Sequence, residues 1–226
     1  MYFHEITSRR EKGFIYKFAE KTYKVKQPCR FMLFTLNEFF DMILMTIVVG
    51  YIFQDMFEIN KHQHSKEYDP LAHYQQVKKG IDFDNLKFSI FVTAPGILFH
   101  ELGHKFVALA LHTEATFHAS YLWLLIGVLL KWFNTGFIFF VPGYVSHSAA
   151  ISPLSSAAIA FAGPAVNLLL WLGAWVLLKI PAHFSHQTIK VLSLIKQINM
   201  FLFFFNMIPL GFFDGAKVLD GVLAAF

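Results

Sequence analysis

A chain of 226 residues that is 56% hydrophobic and only 15% charged is too apolar for a soluble protein, and its mean hydropathy is +0.49. The single cysteine, Cys29, excludes a secreted disulfide scaffold. The net charge of +4 comes from residues 1–30, which hold eight Lys or Arg and three Glu, whereas the remainder holds 11 basic and 12 acidic residues. We therefore expect a membrane protein with no nucleic-acid partner.

The basic segment 1–30 precedes a hydrophobic helix predicted at about 31–57. Basic residues ahead of a membrane helix mark the cytoplasmic side and favour an anionic lipid surface. Residues 58–87 are hydrophilic with balanced charges, and we expect them to form an external loop. A second span is predicted at about 88–111. Because a helix needs about 20 residues to cross the hydrocarbon, residues 100–104 would lie near its middle.

Residues 115–150 contain two shorter apolar pieces. The run 121–130 is too short to span, and GFIFFVPGYV at 136–145 has the aromatic, β-branched and Gly/Pro content of a strand or hairpin. We predict a re-entrant helix followed by an extended segment, which membrane depth permits where protein or water satisfies the backbone. A conventional hairpin of two spans is the alternative.

Two further helices are predicted at about 155–180 and 189–208, and Pro209 ends the second of them. The predicted fold class is an all-α membrane protein. It is a polytopic transmembrane helical bundle with a short membrane-associated strand or hairpin insertion.

The second predicted span carries HELGH at residues 100–104, an HExxH motif. On a helix, the spacing of four places His100 and His104 on one face, where they can share a zinc ion. Glu101 could then take a proton from a metal-bound water. The alternative is a pair of histidines packed against neighbouring helices. Ionisable groups inside a membrane helix are expensive, which favours the functional interpretation.

A catalytic zinc ion takes three protein ligands and keeps one open position. The third histidine of a metzincin would lie six residues past His104, where this chain has Ala110. A thermolysin-type glutamate would fall in the apolar run 122–126. The remaining intramembrane candidate is Asp214, which follows the helix end at Pro209. Its alternative role is to cap a helix N-terminus.

Three motifs together resemble the site-2 protease family of intramembrane zinc metalloproteases. They are HExxH, AGPAVN at residues 162–167, and the string from Asn206 through Pro209 to Asp214-Gly215. They occur in the family order, and the resemblance covers about residues 88–220. The wider string HELGHKFVALALHTEATF is similar to an archaeal branch.

The resemblance implies that His100, His104 and Asp214 bind one catalytic Zn²⁺ and that Glu101 is the general base and later the general acid. Asn206 matches the family asparagine that assists the tetrahedral intermediate; its alternative is to bond backbone freed by Pro209. Gly163 and Pro164 would allow close helix approach or a turn.

The segment 137–145 resembles the family's strand near the active site, and we expect it to bind substrate through its edge. A loop that covers the zinc cavity is the alternative. Glu38 and Asp41, three residues apart on the first helix, are expected to pair with Lys or Arg at the cytoplasmic interface.

The sequence thus predicts a multi-pass protein of the cell membrane with a cytoplasmic N-terminus and a transmembrane protease domain at 31–226, its catalytic core at 88–226. It would hydrolyse peptide bonds within or near transmembrane segments of membrane-protein substrates, so its partners are those substrates and the lipid bilayer. The alternative is a non-proteolytic membrane metal-binding protein or transporter, in which the buried His, Glu and Asp form a proton or metal pathway.

Overall fold

The structure, a computed structural model, describes residues 33–57, 82–135, 141–148, 151–181 and 183–226. Within these ranges the chain is mostly helical and also contains a sheet of two strands. In chain order the elements are α1 (Leu36–Phe53), a 3₁₀ turn (Gln54–Met56), α2 (Phe83–Ala110), β1 (Ala115–Ala119), α3 (Tyr121–Trp132), β2 (Gly143–His147), α4 (Pro153–Lys179), α5 (His186–Asn206) and α6 (Asp214–Leu223).

Two predicted segments fall wholly or mostly outside the described residues: the basic segment 1–30 and the loop 58–87, of which only 82–87 are described. The described end of that loop is already helical. The Asp82 carboxylate accepts hydrogen bonds from the backbone N–H groups of Asp84 and Asn85, and this cap starts α2 five residues before the predicted span.

Among the described residues, three helices are long and apolar enough to cross a membrane: α1 with its 3₁₀ extension (Leu36–Met56), α4 and α5. The predicted span over 88–111 is confirmed as a helix, α2, but it is not one of these three. Its HExxH residues and the adjacent Lys105 lower its hydropathy. The polar residues of the HExxH motif therefore lower the mean hydropathy by which a membrane-spanning helix is recognised.

Polar caps set where the spanning-length helices begin. At α1, Thr35 and Glu38 form a capping box. At α4 and α5, the hydroxyls of Ser152 and Ser185 accept hydrogen bonds from backbone N–H groups of the first turn. The predicted helices 155–180 and 189–208 are confirmed as α4 and α5, and they start two and three residues earlier because of these caps.

The region 115–150 forms a short helix and a small antiparallel sheet in the residues described. The twelve residues of α3 extend about 18 Å, less than the roughly 30 Å of hydrocarbon, so they do not form one arm of a hairpin of two spans. The described strand near the predicted segment 137–145 is β2, while residues 136–140 lie outside the described ranges. Its partner β1 was not predicted; Phe117 lies opposite Val145 and Ala119 opposite Gly143.

The turn after α2 brings β1 into place. His112 adopts a left-handed backbone conformation with φ of 56°, and the N–H of Thr113 donates to the carbonyl of Ala108. The chain then runs along α1, where an apolar cluster joins α1, β1 and α3. The buried members of this cluster are Met45, Val49, Phe117, Ala119 and Leu124.

Candidate metal centre

Two histidines and one aspartate converge where α2 meets the start of α6. The Nε2 atoms of His100 and His104 lie 3.1 Å and 3.2 Å from Oδ2 of Asp214 and 3.1 Å from each other. All three side chains are buried. The structure therefore brings together the three residues that the sequence predicts as metal ligands.

The far nitrogen of each imidazole is held by an oxygen acceptor. Nδ1 of His104 lies 2.7 Å from the carbonyl oxygen of Ile159, and Nδ1 of His100 lies 2.6 Å from Oδ1 of Asn167. A carbonyl oxygen can only accept, so Nδ1 carries the proton in both rings. Each Nε2 therefore directs a lone pair towards the cluster.

The orientation of the Asn167 amide is fixed from the other side. Its Nδ2 donates to the carbonyl of Gly96 at 2.9 Å and to Oδ1 of Asn199 at 3.0 Å. Both acceptors require the amide nitrogen at that position, so the amide oxygen must face His100. Asn167 and Asn199 are both buried, at 0% and 1% exposure.

The donor set fits a divalent metal. Two imidazole lone pairs and a carboxylate oxygen that converge at about 3 Å have no proton to share in this tautomer, and a cation relieves their repulsion. A carboxylate binds a metal in its ionised form, and a cation held by the two imidazoles would favour that form of Asp214.

Asp214 does not cap its helix. It is the first residue of α6, the N-cap position is Phe213, and no side chain makes the cap hydrogen bond. Oδ2 of Asp214 faces the two imidazoles, whereas Oδ1 lies 3.7 Å from Nζ of Lys217. The structure thus favours the ligand geometry over the capping alternative.

Gly163 lies directly against the imidazoles. A Cβ atom at this position would lie 2.7 Å from Nε2 of His100 and still closer to Nε2 of His104. The close approach predicted for Gly163 is therefore to the candidate metal ligands themselves. Asn167, one turn further along α4, ends the AGPAVN motif, but the sequence analysis assigned it no role. The signal was available, since it is a lone amide in an apolar helix on the face of Gly163.

We expect Gly163→Ala to lower zinc affinity by at least about tenfold, because the new methyl group displaces the imidazoles from their common point. Chelator competition on the purified protein measures this. Gly173→Ala is the matched control on the same helix, because a Cβ there meets nothing within 4 Å. Equal affinities in the two variants would contradict the placement of Gly163.

We expect Asn167→Leu to lower zinc affinity by about 10–100-fold, the usual cost of losing a partner that orients a metal-bound histidine. Asn167→Asp keeps an oxygen towards His100 but sets its other oxygen against the acceptors on Gly96 and Asn199, so it should recover only part of the affinity. If the leucine variant bound zinc as the wild type does, Asn167 would not fix the imidazole tautomer.

Glu101 and Asn206 border the same cavity of about 270 Å³ as the cluster. Glu101 is buried beside the ligands without belonging to the three-residue group. Nδ2 of Asn206 donates to the carbonyl of Leu202 in its own helix at 3.0 Å. The carbonyl four residues before Pro209 is a different one, that of Phe205, and it accepts from the N–H of Ile208. The predicted catalytic role of Asn206 stays a prediction.

The strand β2 forms part of the cavity wall. Its residues Gly143, Tyr144, Val145 and His147 line the cavity together with the metal cluster and Glu101. The edge that the sequence predicts for substrate binding thus borders the candidate centre.

No family model matches the chain, and no solved structure matches it. Two curated proteins do, and each bears the name "Putative zinc metalloprotease". One, from Methanocaldococcus jannaschii, is 35% identical over 134 residues, which are 58% of this chain and 68% of that protein. The other, from Synechocystis, is 30% identical over 154 residues, which are 68% of this chain and 36% of that protein. With a buried His-His-Asp cluster beside the glutamate of an HExxH motif, the chain belongs to this family of zinc metalloproteases.

Proposed function

We propose that the chain is an intramembrane zinc metalloprotease of the site-2 protease type. The observation that carries this proposal is the position of the His-His-Asp cluster, which is buried where α2, α4 and α6 meet, with Glu101 beside it. Three other features support it. They are the spanning-length helices α1, α4 and α5, the many large apolar side chains exposed on the outside, and the archaeal relative.

His100, His104 and Asp214 would hold one zinc ion. When bound, zinc polarises the scissile carbonyl and makes water a stronger acid. Glu101 borders the cavity next to His100, so its carboxylate accepts the proton of the attacking water and then passes it to the leaving amine. Asn206, at the end of α5, would donate from its amide to the negatively charged oxygen of the tetrahedral intermediate.

An extended substrate segment would bind along β2. The N–H of Ser120 donates to the carbonyl oxygen of Pro142, just before β2. Hydrogen-bonded pairs alternate along an antiparallel ladder, so the next pairs that exchange backbone hydrogen bonds are 118 with 144 and 116 with 146. The backbone groups of Gly143 and Val145 therefore face away from β1, and no other strand in the described ranges pairs with that side. A transmembrane helix hides its amide bonds, and pairing with a free strand edge would hold it unwound.

The protein would cross the cell membrane several times with its N-terminus in the cytoplasm. The basic segment 1–30 supports this orientation through its excess of Lys and Arg. The bilayer and the transmembrane segments of other membrane proteins are then its partners.

Cleavage of a synthetic Leu/Ala transmembrane peptide with a central Asn-Pro pair, in detergent micelles, tests the proposal. We expect mass spectrometry to find cuts within the apolar segment, a chelator to stop them and zinc to restore them. Stoichiometric zinc with no cleavage of this or other transmembrane peptides would favour the non-proteolytic alternative.

A further inference from the structure

The helix α1 carries two buried carboxylates that take no part in the metal cluster. Glu38 is 2% exposed and Asp41 8% exposed, and they lie one turn apart on the same face. Burying ionised groups in an apolar helix is expensive unless every charge is paired or hydrogen-bonded. The partners of these two groups therefore indicate what the pair does.

Glu38 joins three elements. Its Oε1 accepts from the backbone N–H of Phe117 at 2.8 Å and from Nζ of Lys105, and its Oε2 accepts from the N–H of Thr35 at 2.7 Å. Lys105 is fully buried and directly follows His104 on α2. The expected pairing of Glu38 with a lysine is confirmed, and the pair is buried inside the protein.

Asp41 repeats the contact two residues further along β1. Its Oδ2 accepts from the backbone N–H of Ala119 at 3.0 Å, and its Oδ1 accepts from the hydroxyl of Tyr121. Phe117 and Ala119 are alternate residues of the strand, so both N–H groups lie on the edge of β1 that faces away from β2. The two carboxylates accept from the backbone N–H groups to which a third strand would otherwise pair.

Within the described ranges, the sheet is therefore closed on one side and open on the other. We propose that Glu38 and Asp41 are positioning residues, which seal the outer edge of β1 and hold the free edge of β2 along the metal cavity. An extended substrate segment then pairs with β2 alone, at a fixed distance from Glu101. This inference rests on the proposed function, in which β2 is the substrate-binding edge.

The test compares Asp41→Asn with Asp55→Asn. The first removes the charge that strengthens both hydrogen bonds of Asp41, so the hydroxyl of Tyr121 and the N–H of Ala119 no longer share an ionised acceptor. The second makes the same chemical change just after α1, where Asp55 is 70% exposed and pairs with Lys131. Tyr121→Phe is a milder variant that removes only one of the two bonds of Asp41, should Asp41→Asn fail to fold.

Three measurements are made on each zinc-loaded protein. For Asp41→Asn we expect amide hydrogen exchange at 115–119 and 143–147 to accelerate about tenfold, in keeping with the loss of one hydrogen bond to a charged group, while exchange at 96–108 stays unchanged. Zinc content should stay at the wild-type value. In a non-cleaving Glu101→Gln background, the dissociation constant of a fluorescent Leu/Ala transmembrane peptide should rise about tenfold, with a smaller rise in Tyr121→Phe and none in Asp55→Asn.

Two results would overturn the inference. If the sheet exchanged faster but bound the peptide as tightly as before, the carboxylates would not position a substrate edge. If Asp41→Asn lost its zinc, the pair would support the metal-binding helix instead. Because peptide binding is measured without cleavage, a wild type that cuts nothing would refute the proposed function and still leave this comparison decisive.

Discussion

Replacing Glu101 with Gln is expected to abolish cleavage and leave zinc binding intact. The carboxamide has nearly the same size as the carboxylate but cannot accept a proton from water. Loss of a general base typically costs 10²–10⁴-fold in rate, and we expect at least about that loss in kcat. Because Glu101 does not belong to the group of three converging ligand residues, zinc content should match that of the wild type.

The matched control is Glu114→Gln, which makes the same change at an exposed site after the end of α2. It should retain wild-type kcat. Cleavage by Glu101→Gln at a comparable rate would mean that another group accepts the proton, and the role given to Glu101 would be wrong.

Removing the carboxylate of Asp214 is expected to have the largest effect on the metal. Asp214→Ala takes away one of three donor atoms that lie about 3 Å apart, and two imidazoles alone hold zinc poorly. We expect zinc affinity to fall by more than about 100-fold, beyond the usual cost of changing an outer partner. Zinc analysis after dialysis against a weak chelator measures the loss, and cleavage should fall with it.

Asp220→Ala removes an exposed carboxylate from the same helix and should keep its zinc. This control separates the loss of a ligand from the loss of negative charge on α6. Equal zinc content in the two variants would show that Asp214 is not a ligand.

The convergence of His100, His104 and Asp214 could be predicted from the sequence for physical reasons. Helical periodicity fixes the relative directions of side chains four residues apart, so the spacing in HExxH is enough to place both imidazoles on one face of a helix. Asp214 was identifiable because few carboxylates occur in the apolar part of the chain, and because Pro209 ends the helix before it.

The groups that orient the ligands could not be predicted in the same way. The contacts of Asn167 with His100 and of Gly163 with both imidazoles depend on how closely α4 packs against α2. Packing distance and rotation are tertiary properties, and no local pattern encodes them. The sequence indicated close approach at Gly163 but not what Gly163 approaches.

The strand β1 was missed for a related reason. Five residues with one strongly apolar side chain give a weak period-2 signal. What holds β1 in place comes from far along the chain, since the acceptors of its outer N–H groups belong to Glu38 and Asp41, 79 and 78 residues away. Long-range hydrogen bonds of this kind leave no local trace in a sequence.

The position of Asp214 at the first residue of α6 has a thermodynamic consequence. A metal shared by α2 and α6 makes binding and the docking of α6 one linked equilibrium, because the complete ligand set exists only when α6 is docked. Free zinc at 100 times its dissociation constant would add about 2.7 kcal/mol to the docked state. Zinc supply would then set both the fraction of molecules that carry the metal and the fraction in which α6, with Lys217, completes the cavity wall.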